Sequence, residues 1–292
     1  MFGRHFLPTL LLTAVGTMLA ASPAAMAGSE VKVDKKSLIQ SVNSRSEKDR
    51  ARDNSRNPVE TLHFFKVAPG MVVAEALPGG GWYSNILANY LGPKGSLYAL
   101  NYNDDMWPLF GFFEQKFIDE RIASTKKFPS LIEGFTKNGI KSDGYTFSTV
   151  PSSLDETVDR VLFIRALHNL SRFEKDANTL SQALKTTHRM LKKDGYVGVV
   201  QHQIPEYSSD ASADGGRGYM KMSAVKKAFK EAGFEFVASS NINNNAKDKP
   251  SETDIVWRLP PTYLGADNDD KKQQVDAIGE SNRMTLLFKK AS

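Results

Sequence analysis

Met71-Val72-Val73-Ala74-Glu75-Ala76-Leu77-Pro78-Gly79-Gly80-Gly81-Trp82-Tyr83-Ser84 is the stretch on which the reading of the chain turns. It opens as a short apolar run with β-branched residues, the pattern of a strand buried on both faces. Three glycines follow, and then Tyr83, Ile86, Leu87, Tyr90 and Leu91 recur at helical spacing until Gly92 supplies a stop. Strand, glycine turn and helix form a unit suited to anions and nucleotides. Glycine reaches positive φ and admits a ligand close to the backbone, and the helix N-terminus adds free N–H groups and partial positive charge. A glycine triplet also serves as a plain tight turn, so the surroundings must decide.

Outward from this unit, a second strand is expected at Ser96–Asn101, which makes the layout the first half of a Rossmann-like sheet. Two ligand classes use that layout. A dinucleotide turn, Gly-x-Gly-x-x-Gly, would place glycines at 79, 81 and 84, but position 84 is serine. An S-adenosylmethionine (SAM) turn, an acidic residue followed by x-Gly-x-Gly-x-Gly, aligns Glu75 with the acid and Leu77, Gly79 and Gly81 with the glycines. Two of three match there, and SAM is favoured over NAD.

Further strands are expected at Tyr145–Val150, Asp159–Ile164, Tyr196–Gln201, Phe234–Ser239 and Met284–Phe288, with helices between, among them Phe173–Lys193 and Gly218–Ala232. The alternation predicts an α/β class with one sheet and one domain. Arg165, His168 and Asn169 follow one strand and His202 another, at the carboxyl edge where open α/β sheets bind ligands. Asn57, Pro58 and Glu60 fit N-cap, N1 and N3 of a helix. Before them, Arg52, Asp53 and Arg56 form either a solvated face or a cover over the glycine turn. Asp104 to Phe117 carries seven large apolar residues, either core packing or the aromatic lining of a pocket. Residues 240–282 are polar and irregular, with Trp257-Arg258-Leu259-Pro260-Pro261 as the firmest point.

Arg4 and His5 precede an apolar run from Phe6 to Ala20, and Ala25-Met26-Ala27 fits a small-x-small cleavage site. Residues 1–27 therefore read as a secretory signal peptide, cleaved near Ala27, with no Arg-Arg pair of the twin-arginine kind. The rest of the chain has no segment long enough to span a membrane. In a bacterium with two membranes the expected location is the periplasm, with 28–45 a mobile lead-in and 46–292 the folded domain. The 292 residues are 40% hydrophobic and 24% charged, enough for a large core. The formal charge of +5 falls to about +4 once Arg4 is removed, and its interleaving argues against a nucleic-acid surface. There is no cysteine, which excludes disulfides, thiolate metal sites and a cysteine nucleophile.

Several segments resemble an exported family of predicted class I SAM-dependent methyltransferases of Gram-negative bacteria. They are Arg52-Asp53-x-x-Arg56-x-Pro58-x-Glu60, Pro78-Gly79-Gly80-Gly81-Trp82-Tyr83, Arg165 with His168-Asn169, Trp257-x-Leu259-Pro260-Pro261 and Ile278-Gly279-Glu280-Ser281-Asn282-Arg283-Met284-Thr285-Leu286. The resemblance implies a seven-stranded sheet whose last strand is antiparallel, with helices on both faces. It also implies a SAM site over the Pro78–Tyr83 turn, including Pro78, Trp82 and Tyr83, with Glu75 and Gly79–Gly81 toward the methionine end. Asn101 takes the place of the usual ribose-binding carboxylate and keeps one acceptor oxygen. The acid often found after the third strand has no counterpart near Ser148.

Methyl transfer is an in-line displacement that needs alignment of donor and acceptor and sometimes a base. His168 and His202 are the candidate bases, each also open to a structural role. Asn169 would orient a substrate or cap a turn, and Arg165 would hold an acidic group or pair with Asp159. No His-x-x-x-His or carboxylate cluster suggests a metal site, and no Gly-x-Ser-x-Gly suggests a serine hydrolase. The leading expectation is a periplasmic methyltransferase acting on a small molecule or envelope component. The alternative is a non-catalytic envelope protein that keeps the fold, and a nicotinamide oxidoreductase is disfavoured by Ser84.

Overall fold

The computed structural model describes residues 1–3 and 32–291. The signal-peptide reading therefore lies almost wholly outside the described residues. The elements run α1 (Lys35–Asn43), α2 (Glu47–Arg50), α3 (Asp53–Arg56), α4 (Pro58–Phe64), β1 (Val72–Ala76), α5 (Trp82–Leu91) and β2 (Ser96–Asn101). A 3-10 helix at Asp104–Phe110 leads to α6 (Gln115–Lys126), α7 (Phe128–Phe135), β3 (Lys141–Thr146) and β4 (Val158–Ile164). Then come α8 (Leu167–Arg172), α9 (Glu174–Ala177), α10 (Thr179–Met190) and β5 (Leu191–His202). The chain ends with α11 (Met222–Glu231), β6 (Phe234–Ser240), α12 (Asp269–Ile278) and β7 (Arg283–Lys290).

The seven strands lie in the order β3-β2-β1-β4-β5-β7-β6. β1 to β5 are parallel, and β7 inserts antiparallel between β5 and β6. Alternate residues of the central strands feed two cores, as period-2 side chains must. Val73, Leu97, Ala99 and Leu162 face a layer built with α1, α4, α5 and α7, while Ala74, Tyr98, Leu100, Val161 and Phe163 face one built with α8, α10 and α11. Gly198 is required in β5 because a Cβ there would lie 2.5 Å from the Phe65 ring.

Several local expectations change. The lead-in is ordered from Asp34, whose side chain caps α1, and α1 buries Leu38 completely. Asn57 is not a side-chain cap: it is left-handed (φ 43°), and its amide donates instead to the Ile242 carbonyl at 2.8 Å. The expected helix Phe173–Lys193 breaks at left-handed Asn178, and the expected helix from Gly218 starts only at Met222. β3 lies four residues earlier than expected, because Thr149 Oγ1 accepts from the Thr146 N–H and turns the chain there.

Residues 240–282 are ordered by side chains standing in for a ladder. The Asn243 amide donates to Thr61 and Thr285, both at 3.0 Å, and the Asn245 amide donates to the Ile278 and Glu280 carbonyls. Asp248 accepts from Tyr219, Arg258 and the Asn282 N–H. These ties hold Trp257–Thr262 over the carboxyl edge of the sheet.

Candidate functional site

β1, β4 and β5 end side by side, and their next residues build the floor of a cleft. Leu77 and Arg165, which follow β1 and β4, are both left-handed, with φ of 53° and 58°. Each still donates its N–H to a neighbouring strand, Leu77 to the Leu100 carbonyl and Arg165 to Val200. A branched or long side chain in that region costs about 1 kcal/mol or more. The turn expected to hold glycine at position 77 thus keeps the glycine conformation without the glycine. Gly79 and Gly81 are also left-handed, and Gly81 caps α5.

Three cavities open on this floor. The first, about 480 Å³, is bordered by Pro78, Gly79, Gly80, Gly81, Trp82, Arg165, His168, Asn169 and His202. The second, about 420 Å³, shares Leu77–Gly80, Arg165 and Asn169 and reaches Asn101, Lys127, Phe128 and Leu131. The third, about 630 Å³, is walled by rings of the 102–117 segment. Among the described residues Asn169 alone borders all three.

Two residues expected at the cofactor border none of the three. Glu75 is buried beneath the turn, where Ser84 Oγ donates to it at 2.6 Å. Burial raises its pKa to about 7, more than Ser84 and Arg165 lower it. Tyr83 is buried with its hydroxyl donating to the Arg56 carbonyl. Tyr83 lies behind the glycine wall because the first turn of α5 points its side chain into the fold, and Glu75 because it stands within buried β1 and meets Ser84 beneath the turn. Ser148 borders no cavity either. The second cavity's wall there comes from α7, with Phe128 and Leu131.

The first cavity is rich in arginine. Glu280 gathers Arg52 (Nε–Oε1 2.7 Å), Arg283 (3.1 Å) and Arg56 (3.7 Å). Arg165 is enclosed nearby with no side-chain ion pair among the described residues, and Asp159 sits at the far end of β4 with Lys192. Desolvation, with the neighbouring arginines adding to it, lowers Arg56 to about 9 and Arg165 to about 10. The segment Arg52-Asp53-Arg56 is a built wall: the Arg45 and Arg56 guanidiniums lie over the Trp82 ring at 4.6 and 4.4 Å, and Asp53 pairs with Arg45. Sequence patterns singled out this segment without the charge excess, which appears only when β7 brings Glu280 and Arg283 alongside.

The two histidines meet, ring centroids 5.3 Å apart. Gln201 fixes the state of His168. Its amide nitrogen donates to the His202 and Gly218 carbonyls, so its oxygen must accept from the His168 N–H and from Nδ1 at 3.2 Å. His168 Nδ1 therefore carries the proton, and Nε2 carries the lone pair. Burial lowers His168 to about 4 and His202 well below its usual value, so both rings are neutral near pH 7. His202 Nδ1 lies 2.6 Å from Ser281 Oγ. Among the described residues no three His, Asp or Glu side chains are grouped to hold a metal ion.

The aromatic segment divides between its two readings. Met106 enters the core, Phe110 is buried in the core and also borders the third cavity, and Trp107, Phe113, Phe117 and the 65% exposed Phe112 border it with Phe110.

No family model and no curated protein matches this chain. Solved structures do. A SAM-dependent methyltransferase from Aquifex aeolicus aligns at 17% identity over 73% of this chain and 94% of its own, with a TM-score of 0.45. The Burkholderia thailandensis 1,6-didemethyltoxoflavin-N1-methyltransferase, solved with S-adenosylhomocysteine, aligns at 11% identity over 88% and 87%, with a TM-score of 0.46. The cyclase SpnF aligns at 11% identity over 87% and 92%, with a TM-score of 0.52. At such identities likeness speaks of the fold alone. Taken with the strand order and the antiparallel β7, it gives the chain the class I methyltransferase fold.

Proposed function

We propose that this chain is a SAM-dependent methyltransferase. The observation that carries the reading is the turn after β1, which holds its left-handed Leu77 and opens on two joined cavities bordered by Asn101 and Arg165. The residues present fit an adenosyl amino acid. Asn101 spends its amide nitrogen on Thr125, leaving Oδ1 to accept from a ribose hydroxyl. Phe128 and Leu131 offer an apolar wall for a flat base, and Arg165 has no carboxylate partner among the described residues.

SAM would supply an electrophilic methyl group. The chain's own residues orient the acceptor and take its proton. Asn169 stands where the three cavities meet, and His168 Nε2 is an acceptor at any pH above about 5. A base this weak suits an acceptor whose own proton is acidic. The export reading rests on residues 1–27, and N-terminal sequencing of protein from a periplasmic fraction tests it: an N-terminus near Gly28 is expected, and an intact Met1 overturns it.

A second reading, a non-catalytic binding protein with this fold, is favoured by one observation. Arg52, Arg56, Arg165 and Arg283 gather around Glu280, with Asp49 as the other acid bordering the cavity, and this positive excess opposes a sulfonium cation. Thermal-shift titration with SAM, S-adenosylhomocysteine and NAD separates the two. A ligand at about 100 times its Kd stabilises by roughly 2.7 kcal/mol, a rise on the order of 5–10 °C for a domain of this size. A shift with SAM supports the enzyme. A shift with S-adenosylhomocysteine only, or with none of the three, moves the conclusion to the binding protein.

A further inference from the structure

We propose that the aromatic cavity is the acceptor's site, and that the acceptor is an aromatic compound with one acidic group held by Arg172 and Arg121. The acceptor role rests on the methyltransferase reading; the binding chemistry does not. Several observations converge on this class of molecule.

The first is the lining. Trp107, Phe110, Phe113 and Phe117 pair at ring distances of 4.5 to 6.3 Å, tilted, edge-on and stacked, and Trp257 adds a further ring to the lining. Such a wall takes a flat ring system well, because offset and edge contacts repeat at ligand distance. The volume, about 630 Å³, is in the range that holds a small organic molecule.

The second is charge. Arg172 and Arg121 border this cavity, and among the described residues neither pairs with a carboxylate. Arg121 lies over Phe117 at 4.7 Å and Arg172 over Phe173 at 5.1 Å, so rings fix both guanidiniums beside the apolar space while their N–H groups remain for an anion. A neutral apolar ligand would leave those donors unused, and a cationic one would be repelled.

The third is position. The cavity meets the other two at Asn169, and it shares Trp257 with the first, where the Trp257 ring is 5.9 Å from His168. A ligand seated here reaches the junction with its far edge. Phe112 and Leu264 at the mouth are 65% and 56% exposed, an apolar rim that none of the described residues covers.

Two dyes that differ by one group test this on the purified chain. 1-Anilinonaphthalene-8-sulfonate carries the anion, and N-phenyl-1-naphthylamine is the same ring system without it. Fluorescence titration should show saturable one-to-one binding of both, with the sulfonate tighter by about tenfold or more, the size of a charge-assisted contact. Arg172→Gln should remove most of that preference and leave the neutral dye unchanged, and adding Arg121→Gln should erase it. Trp107→Ala should weaken both dyes, with circular dichroism confirming that the variant is folded. Equal affinity for the two dyes in the wild type, or sulfonate binding untouched by Trp107→Ala, overturns the proposal. The thermal response to SAM, measured on the wild type and on Arg172→Gln, is independent, since Arg172 borders only the aromatic cavity. Loss of that response in the wild type with the dye result intact overturns the acceptor role alone.

Discussion

The arginine cavity and the aromatic cavity share Asn169, Trp257 and Thr262, yet they are held in opposite ways. In the first, four of the polar and aromatic side chains are fixed by directional bonds: Glu280 by three arginines, His168 by Gln201, His202 by Ser281, Trp82 by the Asp49 carbonyl. In the second, the rings are held by one another and by apolar area, and their two arginines pair with no acid among the described residues. Directional bonds in a desolvated place define one geometry and penalise any missing partner. Ring packing tolerates small shifts, because dispersion is shared over many weak contacts. The contrast suits the first to a ligand of one fixed geometry and the second to a flat ligand whose seat can adjust.

The harshest way to break the contrast is Glu280→Ala. It leaves Arg52, Arg56 and Arg283 with like charges and no acid, and stripping one partner from a buried ion pair costs about 3–5 kcal/mol. The expected loss is on the order of 10 °C in Tm. High salt should recover part of it, because screening weakens the repulsion among the arginines. The matched truncation across Asn169, Phe113→Ala, removes a half-buried ring and should cost about a third as much. Comparable losses from the two would remove the distinction.

Next in size is the pH response of the arginine cavity's floor. Glu75 is raised from 4.5 to about 7, so the folded state holds its proton longer than the unfolded chain. Its contribution is complete below pH 4.5 and is lost as pH rises through 7, about 3 kcal/mol in all. His168 and His202 run the other way: their folded pKa values are depressed, so stability is complete above 6.5 and falls as the solution is acidified toward 4. Between pH 4.5 and 6.5 the two slopes oppose. Glu75→Gln should therefore raise Tm at pH 8, leave it unchanged at pH 4.5, and make the acid-side decline steeper. A parallel offset at every pH would show that Glu75 is already ionised in the fold.

How much of this was legible in the sequence follows from the same physics. The Met71–Leu91 unit was plain because strand and helix periods and a glycine triplet are local signals; the alternation they start predicted the α/β class, and the antiparallel last strand came from the family resemblance. Pro78–Trp82, Arg165, His168, Asn169 and His202 do reach the cleft, since the residue after a parallel strand must lie at its carboxyl edge. Tyr83 faces away from the cleft because of how α5 leaves its turn, and Glu75 because it stands within β1 and is buried against Ser84, neither of which composition encodes. Glu280 and Arg283 stood in a quoted motif without a role. Their meaning depends on contacts more than 200 residues apart.

The glycine turn itself can be closed without disturbing the fold. Gly80 has ordinary φ, and a Cβ there would meet nothing within 4 Å, whereas a Cβ at Gly81 would come within 2.8 Å of Phe135. Gly80→Val should keep the wild-type Tm and lower SAM affinity by about a hundredfold, or roughly 2.7 kcal/mol, by filling the space where both cofactor cavities meet. Dye binding in the aromatic cavity should not change, because Gly80 does not border it. Unaltered SAM affinity would detach the cofactor from this turn.

The smallest effect is the most discriminating about why Leu77 stands where a glycine is expected. Leu77→Gly relieves a left-handed leucine, worth about 1 kcal/mol. It also frees the unfolded chain, by roughly 0.5–1 kcal/mol, and removes a half-buried side chain packed against the main core. The terms nearly cancel, and the net change in stability should stay within about 1 kcal/mol. SAM affinity should hold or rise modestly, since the backbone already has the conformation a glycine would take and only the side chain leaves the two cavities it borders. If affinity instead falls tenfold, Leu77 is a contact surface for the ligand. The strain at φ 53° would then be held in the fold to present that side chain, and the turn's departure from glycine would be a requirement of binding.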